Sequence, residues 1–243
     1  MIFLYKNFLF DLDGTLLPMD MKYFVDLFVA SFCKCMVPIT KIESKPLMNS
    51  IWSSVAQMSR NDGDCLNIDI FWRTMNSVCK RDMRVFSDRF DHFYRNDFSV
   101  CRAATKVQPL SKVVVDYIKH HGGRLIVSTN PIFPKSSTYS RIEWAGLNVN
   151  DFSYITTYDN SSACKPNLNY FEEICSVCGI HPEESIVIGN DVDEDMISSR
   201  LGFDTFLVTD CLINRYDKNL SLFRHGSFGD LFDFIQDSYK STN

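Results

Sequence analysis

Asp11 and Asp13, in the run Asn7-Phe8-Leu9-Phe10-Asp11-Leu12-Asp13-Gly14-Thr15, are the first residues of this chain whose types and spacing can do chemistry. Phe8-Leu9-Phe10 has the length and content of a buried strand. A separation of two places both carboxylates on one side of an extended segment, and Gly14 frees the backbone to break the strand there. A second acidic cluster, Gly189-Asn190-Asp191-Val192-Asp193-Glu194-Asp195, follows another apolar run, and Asp191 and Asp195 share a face if a helix starts there. Ser128-Thr129-Asn130 ends a third apolar run with hydroxyl, amide and backbone donors suited to phosphate oxygens, and Lys165 precedes Pro166 in a polar loop. Singly, each has an ordinary reading: a strand end with a turn, an acid-rich helix N-terminus, a helix or turn cap, a surface lysine. Their weight depends on what brings them together.

The elements that must position them follow from hydrophobic periodicity. Between residues 19 and 101 four amphipathic stripes read as helices: Phe24, Phe28 and Phe32; Leu47, Ile51, Val55 and Met58; Phe71, Met75 and Val78; Phe86, Phe90 and Phe93. Breaks are expected near Pro38, Pro46 and Asn61-Asp62-Gly63-Asp64, with no strand between the stripes. After Cys101 the pattern alternates. Helices are expected over 109–121, 134–145, 167–178, 192–200 and 228–239, with strands over 124–128, 152–156, 185–188 and 205–208. Regular alternation means an α/β protein with a parallel sheet and helices on both faces. The strand ending at Asp11 joins that sheet, and the helical block is inserted after it. Asp11, Ser128-Thr129-Asn130 and Gly189-Asn190-Asp191 then all follow the last apolar residue of a strand, at the carboxyl edge where such sheets bind ligands.

Convergence changes the electrostatics. Two like charges about 4 Å apart cost on the order of 4 kcal/mol at an effective dielectric near 20, so three or four gathered carboxylates call for a cation. Oxygen ligands without a convincing His or Cys point to Mg²⁺ rather than zinc. Mg²⁺ commonly shares its ligands with a substrate phosphate, and Lys165 in this position can neutralise a transferring phosphoryl group.

Composition limits the alternatives. A net charge of −5 over 243 residues leaves no basic footprint for nucleic acid. No apolar run approaches the roughly 18 residues of a membrane span, and the N-terminal stretch, interrupted by Lys6, Asn7 and Asp11, shows no leader cleavage site. Nine scattered cysteines without framework spacing read as free thiols in a reducing cytosol, hence a cytoplasmic location. Cys175-x-x-Cys178 lacks a second pair or nearby His to complete a zinc set, and His120-His121 sit at a helix end.

Four motifs in order, Asp11-Leu12-Asp13-Gly14-Thr15, Val127-Ser128-Thr129-Asn130, Lys165-Pro166 and Gly189-Asn190-Asp191-x-x-x-Asp195, resemble the haloacid dehalogenase superfamily, in its phosphatase branch with a helical cap. The resemblance implies a Rossmann-like core over residues 1–18 and 106–243 and an all-α cap over 19–105, lying over the site as a lid. It implies a Mg²⁺-dependent hydrolase of a small phosphorylated metabolite, with Asp11 as nucleophile forming an aspartyl-phosphate and Asp13 as acid and base. Asp11, Asp13, Asp191 and Asp195 would hold the metal, while Thr129, Asn130 and Lys165 would hold the phosphoryl oxygens. Members that expel halide lack an acid at the position of Asp13, since an anionic leaving group needs no proton. One departure stands out: the commonest fourth motif has Gly-Asp, and here Asn190 intervenes, leaving open how Asp191 and Asp195 divide their work. The same motifs serve phosphomutases acting on sugar phosphates, and a non-catalytic binding protein on the same scaffold is a third reading.

Overall fold

Asn7–Phe10 forms the first strand, β1, and all four of its residues are buried. The computed structural model describes residues 5–240, so the expectation about a leader at the N-terminus falls partly outside the described residues. β1 is central because its side chains are apolar on both faces, as a strand covered by helices on both sides must be. It pairs in parallel with β2 (Arg124–Val127) on one side and β4 (Ser185–Gly189) on the other. With β3 (Tyr154–Ile155), β5 (Asp204–Val208) and β6 (His225–Gly226) the sheet has six strands in the order β3-β2-β1-β4-β5-β6, every pairing parallel. The register is what matters for function. Phe10 lies level with both Val127 and Ile188, so Asp11, Ser128 and Gly189 leave the sheet at one height.

Side-chain alternation sorts the two covering layers. Phe8 and Phe10 share a core with Val114, Val115 and Ile118 of α5 (Pro109–His120) and Phe228, Leu231 and Ile235 of α8 (Phe228–Lys240). Leu9, Ile126 and Val187 point the other way, onto Tyr170, Phe171 and Ile174 of α7 (Leu168–Cys178).

The segment between β1 and α5 is helical throughout: α1 (Met21–Thr40), α2 (Ser44–Met58), α3 (Asn67–Cys79), α4 (Ser87–Asn96) and a 3₁₀ stretch over Asp97–Ala104. Phenylalanines at four-residue spacing fill its interior, with Phe32 meeting Phe93 edge to face at 5.1 Å between ring centres. α1 is long and apolar enough by composition to cross a membrane. Its every-fourth residues Phe24, Phe28, Phe32, Met36 and Thr40 are buried within the protein. The break expected at Pro38 comes later: the proline sits in the last turn, where the helix closes on a left-handed Lys41 whose amide donates to Val37 O. Pro46 likewise sits in the first turn of α2, where a missing amide costs little. The two crossings to the sheet run side by side, with Asp20 N donating to Ala104 O and Lys106 N to Pro18 O.

The block is fused to the sheet domain by aromatic packing. Phe24, Phe28 and Phe98 surround Phe133, and Phe98 stacks on Trp144 of α6 (Lys135–Trp144) at 5.2 Å. Buried Asn67 donates across the junction to Pro131 O and Ala163 O.

Two further features differ from the sequence reading. The short strand β6 had no periodic signal, being two residues long. The helix expected over 192–200 is a turn at 191–195 followed by a 3₁₀ helix, Met196–Leu201. The cause is local: Ile213 N donates to Asn190 O and Val192 N to Ile213 O, holding the chain extended past β4, while the Asp191 side chain accepts the Asp193 and Glu194 amides.

Because Phe98 is fully buried at the junction of block and sheet domain, Phe98→Ala is expected to cost about 3–5 kcal/mol, read by urea unfolding, with one transition in both proteins. A loss below about 1 kcal/mol, or two separate transitions, would mean that block and sheet domain hold independent cores.

Candidate active site

The three strand ends deliver their polar residues to one cavity of about 260 Å³. Asp11, Asp13, Thr129, Asn130, Lys165, Asp191 and Asp195 all line it, so every site residue expected from the sequence reaches the same place. Met21 and Phe24 of α1, with Ile132 and Phe133, form its apolar side.

Lys165 stands at the centre. It is 2% exposed, and its Nζ donates to Asp11 Oδ1 at 2.9 Å and Asp195 Oδ1 at 2.6 Å. Asp195 reaches it by folding back under β4, where its Oδ2 accepts from Asp191 N at 3.0 Å. Only glycine permits this approach, because a Cβ at Gly189 would overlap the Asp195 carboxyl. Gly14 has the same kind of necessity: its φ is +88° and a Cβ there would run into the Asn190 amide. Asn190, the inserted residue of the fourth motif, ties three segments together. Its Nδ2 donates to Cys211 O at 2.6 Å and its Oδ1 accepts from Thr15 Oγ1 at 3.2 Å. Thr129 lies at the end of β2 with its carbonyl held by Thr156 Oγ1 and Tyr170 OH. Asn130 turns its amide to Glu194 Oε2 at 2.9 Å and to Lys165 O, so in this structure it braces the loops.

Three partners escaped the sequence reading. Arg141, on α6, is 1% exposed and its Nη1 forms a close ion pair with Asp13 Oδ2. Its guanidinium lies over the Phe133 ring, 4.5 Å from the ring centre. Ser137, Thr138, Arg141 and Ile142 share the inward face of α6, and that placement of an arginine among small residues was the available signal. Glu194 was visible within the acidic cluster but had no assigned place. Arg215, between β5 and β6, lies where no periodicity speaks, and its Nη1 donates to Asp191 Oδ2 at 2.6 Å.

Crowding shapes the protonation of these groups. Burial pushes the Asp11 carboxyl above its ordinary value, with Asp13 and Glu194 adding to the rise and Lys165 opposing it. Asp195 is pushed up to about 6 by burial and by Asp11, again against Lys165. Burial raises Asp13 too, countered by Arg141 and Lys165. For Lys165 burial works against the charge, but Asp11 and Asp195 overcome it and hold the ammonium well above its usual range.

Five carboxylates, Asp11, Asp13, Asp191, Glu194 and Asp195, line the cavity. Three basic side chains, Lys165, Arg141 and Arg215, touch them, which leaves two negative charges uncompensated. Asp13 Oδ1 is buried without a hydrogen-bond partner. Oxygen-only donors with this excess fit a hard divalent ion. Among the described residues, however, no three acidic, His or Cys side chains are gathered into a ready coordination shell. Lys165 and Arg215 occupy the oxygens instead.

The family model described as haloacid dehalogenase-like hydrolase matches residues 5–202. No curated protein matches the chain. Among solved structures, a HAD phosphatase from Thermococcus onnurineus superposes with a TM-score of 0.59 at 16% identity, over 95% of this chain and 97% of that one. A hydrolase from Pseudomonas syringae gives 0.56 at 16% identity, over 96% and 98%. L-2-haloacid dehalogenase from Xanthobacter autotrophicus, with chloropropionic acid covalently bound, gives 0.54 at 14% identity, over 96% and 98%. At these identities the structures establish the shared fold, and the family-model match over most of the chain shows that it belongs to the haloacid dehalogenase-like hydrolases.

Proposed function

We propose that the chain is a Mg²⁺-dependent phosphatase of small phosphomonoesters that works through an aspartyl-phosphate on Asp11. The observation that carries this is the excess of two negative charges around a cavity in which Lys165 holds the buried Asp11 carboxylate at 2.9 Å. Mg²⁺, held by Asp11, Asp13, Asp191 and Asp195, would supply the missing positive charge and draw the phosphoryl dianion in among acids. The protein's own groups do the rest. Lys165 keeps one Asp11 oxygen fixed, so the other, which lies 3.4 Å from the Thr15 hydroxyl, is the one presented for attack on phosphorus. As the Asp11–phosphorus bond forms, the bond to the leaving oxygen breaks, and Asp13 gives that oxygen a proton. Asp13 then takes a proton from a water molecule whose oxygen bonds to phosphorus as the Asp11–phosphorus bond breaks, which releases phosphate and restores the Asp11 carboxylate. Thr129, Asn130 and Lys165, which line the cavity, would receive the phosphoryl oxygens, Asn130 by giving up its bond to Glu194. An acid at position 13 favours an alkoxide leaving group over a halide, which departs without a proton.

Size and charge support a small substrate. The cavity of about 260 Å³ is at or below the roughly 300–1,000 Å³ of small-molecule sites. Met21 and Phe24 of the helical block form part of its wall, so the block acts as a cap over residues 19–105 that excludes water during transfer. All nine cysteines are free thiols, in keeping with a reducing cytosol.

Three outcomes test this reading. Asp11→Asn is expected to abolish Mg²⁺-dependent hydrolysis of 4-nitrophenyl phosphate, and excess chelator to do the same to the unaltered protein; activity surviving either one excludes the mechanism. Asp13→Asn should lose about 10²–10⁴-fold with alkyl phosphates and much less with aryl phosphates. Equal losses across both remove Asp13 from the acid role. Arg141→Met leaves the Asp13 carboxylate buried beside an apolar chain, and breaking such a pair costs about 3–5 kcal/mol. Adding Asp13→Asn should recover a large part of that stability in denaturant titrations, whereas simple additivity of the two would mean the pair contributes no coupling.

A further inference from the structure

Two cations line the catalytic cavity, and they are held differently. Lys165 is buried and fixed between two carboxylates. Arg215 is 47% exposed in its side chain, on the connection between β5 and β6, and its Nη2 lies 3.6 Å from Glu194 Oε1 while Nη1 holds Asp191. It also lines a second cavity of about 540 Å³ that adjoins the first and shares Glu194 with it. Arg200, Tyr216 and Lys218 border that second cavity. Lys218 pairs with Asp193, and Arg200 has no ion-pair partner among the described residues. The second cavity is thus bordered by three cations, Arg200, Arg215 and Lys218, and by two carboxylates, Asp193 and Glu194.

The two oxygens of Asp191 are already divided. Oδ1 accepts the backbone amides of Asp193 and Glu194 at 2.9 and 3.0 Å, which shape the turn after β4. Oδ2 takes Arg215 at 2.6 Å. A metal ion that uses Asp191 must therefore unmake the turn or displace the arginine, and the long, half-exposed side chain is the part free to move. Once displaced, its guanidinium would stand where the two cavities meet, beside Glu194 and within the field of Asp193. Because Glu194 and Arg215 line both cavities, a leaving group that outgrows the first would enter the second beside them.

We propose that Arg215 is the residue that selects the leaving group: it rests on Asp191 Oδ2 here, yields that oxygen to the metal, and then binds an anionic substituent of the substrate in the cavity it shares with Arg200. The substrate class is then a phosphomonoester carrying a second anion, a carboxylate or another phosphate, matched to the planar guanidinium fork. The inference rests on the reading of Asp191 as a metal ligand.

Two measurements on the full chain test it together. The first is calorimetric titration of Mg²⁺ into the unaltered protein, Arg215→Met, Arg215→Gln and Asp191→Asn. Both arginine variants are expected to bind Mg²⁺ about 5-fold or more tighter, and Asp191→Asn to lose binding. The second is competitive inhibition of 4-nitrophenyl phosphate hydrolysis by three matched three-carbon esters: 3-hydroxypropyl phosphate, 3-phosphooxypropanoate and propane-1,3-diyl bisphosphate. The unaltered protein should favour at least one doubly anionic ester over the neutral one by about 10-fold. The arginine variants should bring that ratio close to one, a change that altered metal affinity alone, acting on all three esters alike, does not produce. Whichever anionic ester gains identifies the second anion. Mg²⁺ affinity unchanged or weakened in Arg215→Met, or a preference that is absent or survives the substitution, overturns the proposal. If the unaltered protein binds no Mg²⁺, the metal-dependent reading beneath it falls as well. Arg215 is exposed on a connection, and matching circular dichroism of the variants confirms that the comparison is of folded proteins.

Discussion

A single buried ammonium holds the catalytic edge of this sheet together. Lys165 is almost wholly shielded from water, and burying such a charge is costly unless it is paired. Its two partners come from opposite ends of the chain: Asp11 from the end of β1 and Asp195 from the turn after β4. Each carboxylate alone would be pushed toward its neutral form by burial; with the lysine between them, the trio is one charged unit. The parallel register makes the meeting possible, because Phe10 and Ile188 are level and the two loops start at the same height. Gly189 completes it by giving the Asp195 carboxyl room beneath the strand. Sheet pairing, loop path and charge balance are thus one constraint.

The helical block enters that constraint through Arg141. Its guanidinium joins Asp13 on one side and lies on Phe133 on the other, and Phe133 is enclosed by Phe24, Phe28 and Phe98 of the block. Burial of Tyr94 and Cys101, which push up their own ionisations beside the same arginine, shows how dry this region is. Low dielectric strengthens the pair with Asp13 and raises the cost of losing it. Packing of the block against α6 therefore sets the environment of the second acid of the first motif, although no block residue touches that acid through a hydrogen bond among those described.

Much of this was legible in the sequence, for reasons that can be named. The central strands are continuous apolar runs ending abruptly in polar residues, so Phe8-Leu9-Phe10 before Asp11 and Ile186-Val187-Ile188 before Gly189 mark both strand and site. Four-residue phenylalanine spacing in α1 is equally plain. What escaped depends on tertiary context. The acid-rich stretch after β4 has helical spacing, but Ile213, more than twenty positions away in sequence, holds its backbone extended and the Asp191 side chain captures the turn amides. Arg141 and Arg215 are ordinary charges until the fold places them against carboxylates 128 and 24 residues distant. Periodicity reports which face is apolar, and it carries no information about which charge another charge will meet.

The inserted Asn190 shows how one residue alters the division of work between the two acids that follow it. By donating to Cys211 O and accepting from Thr15, it adds a bonded step between β4 and Asp191 and ties that step to both β1 and the connection after β5. Asp191 is buried, and its carboxylate meets the half-exposed Arg215. Asp195, four residues on, is turned back beneath Gly189 to Lys165 and is 1% exposed. The two acids therefore differ in kind. Asp195 is bound into a buried ion trio and can shift only if Lys165 shifts with it. Asp191 has one oxygen committed to the turn and one facing a displaceable partner. Asp191 thus answers to the connection after β5, whereas Asp195 holds the lysine that fixes Asp11.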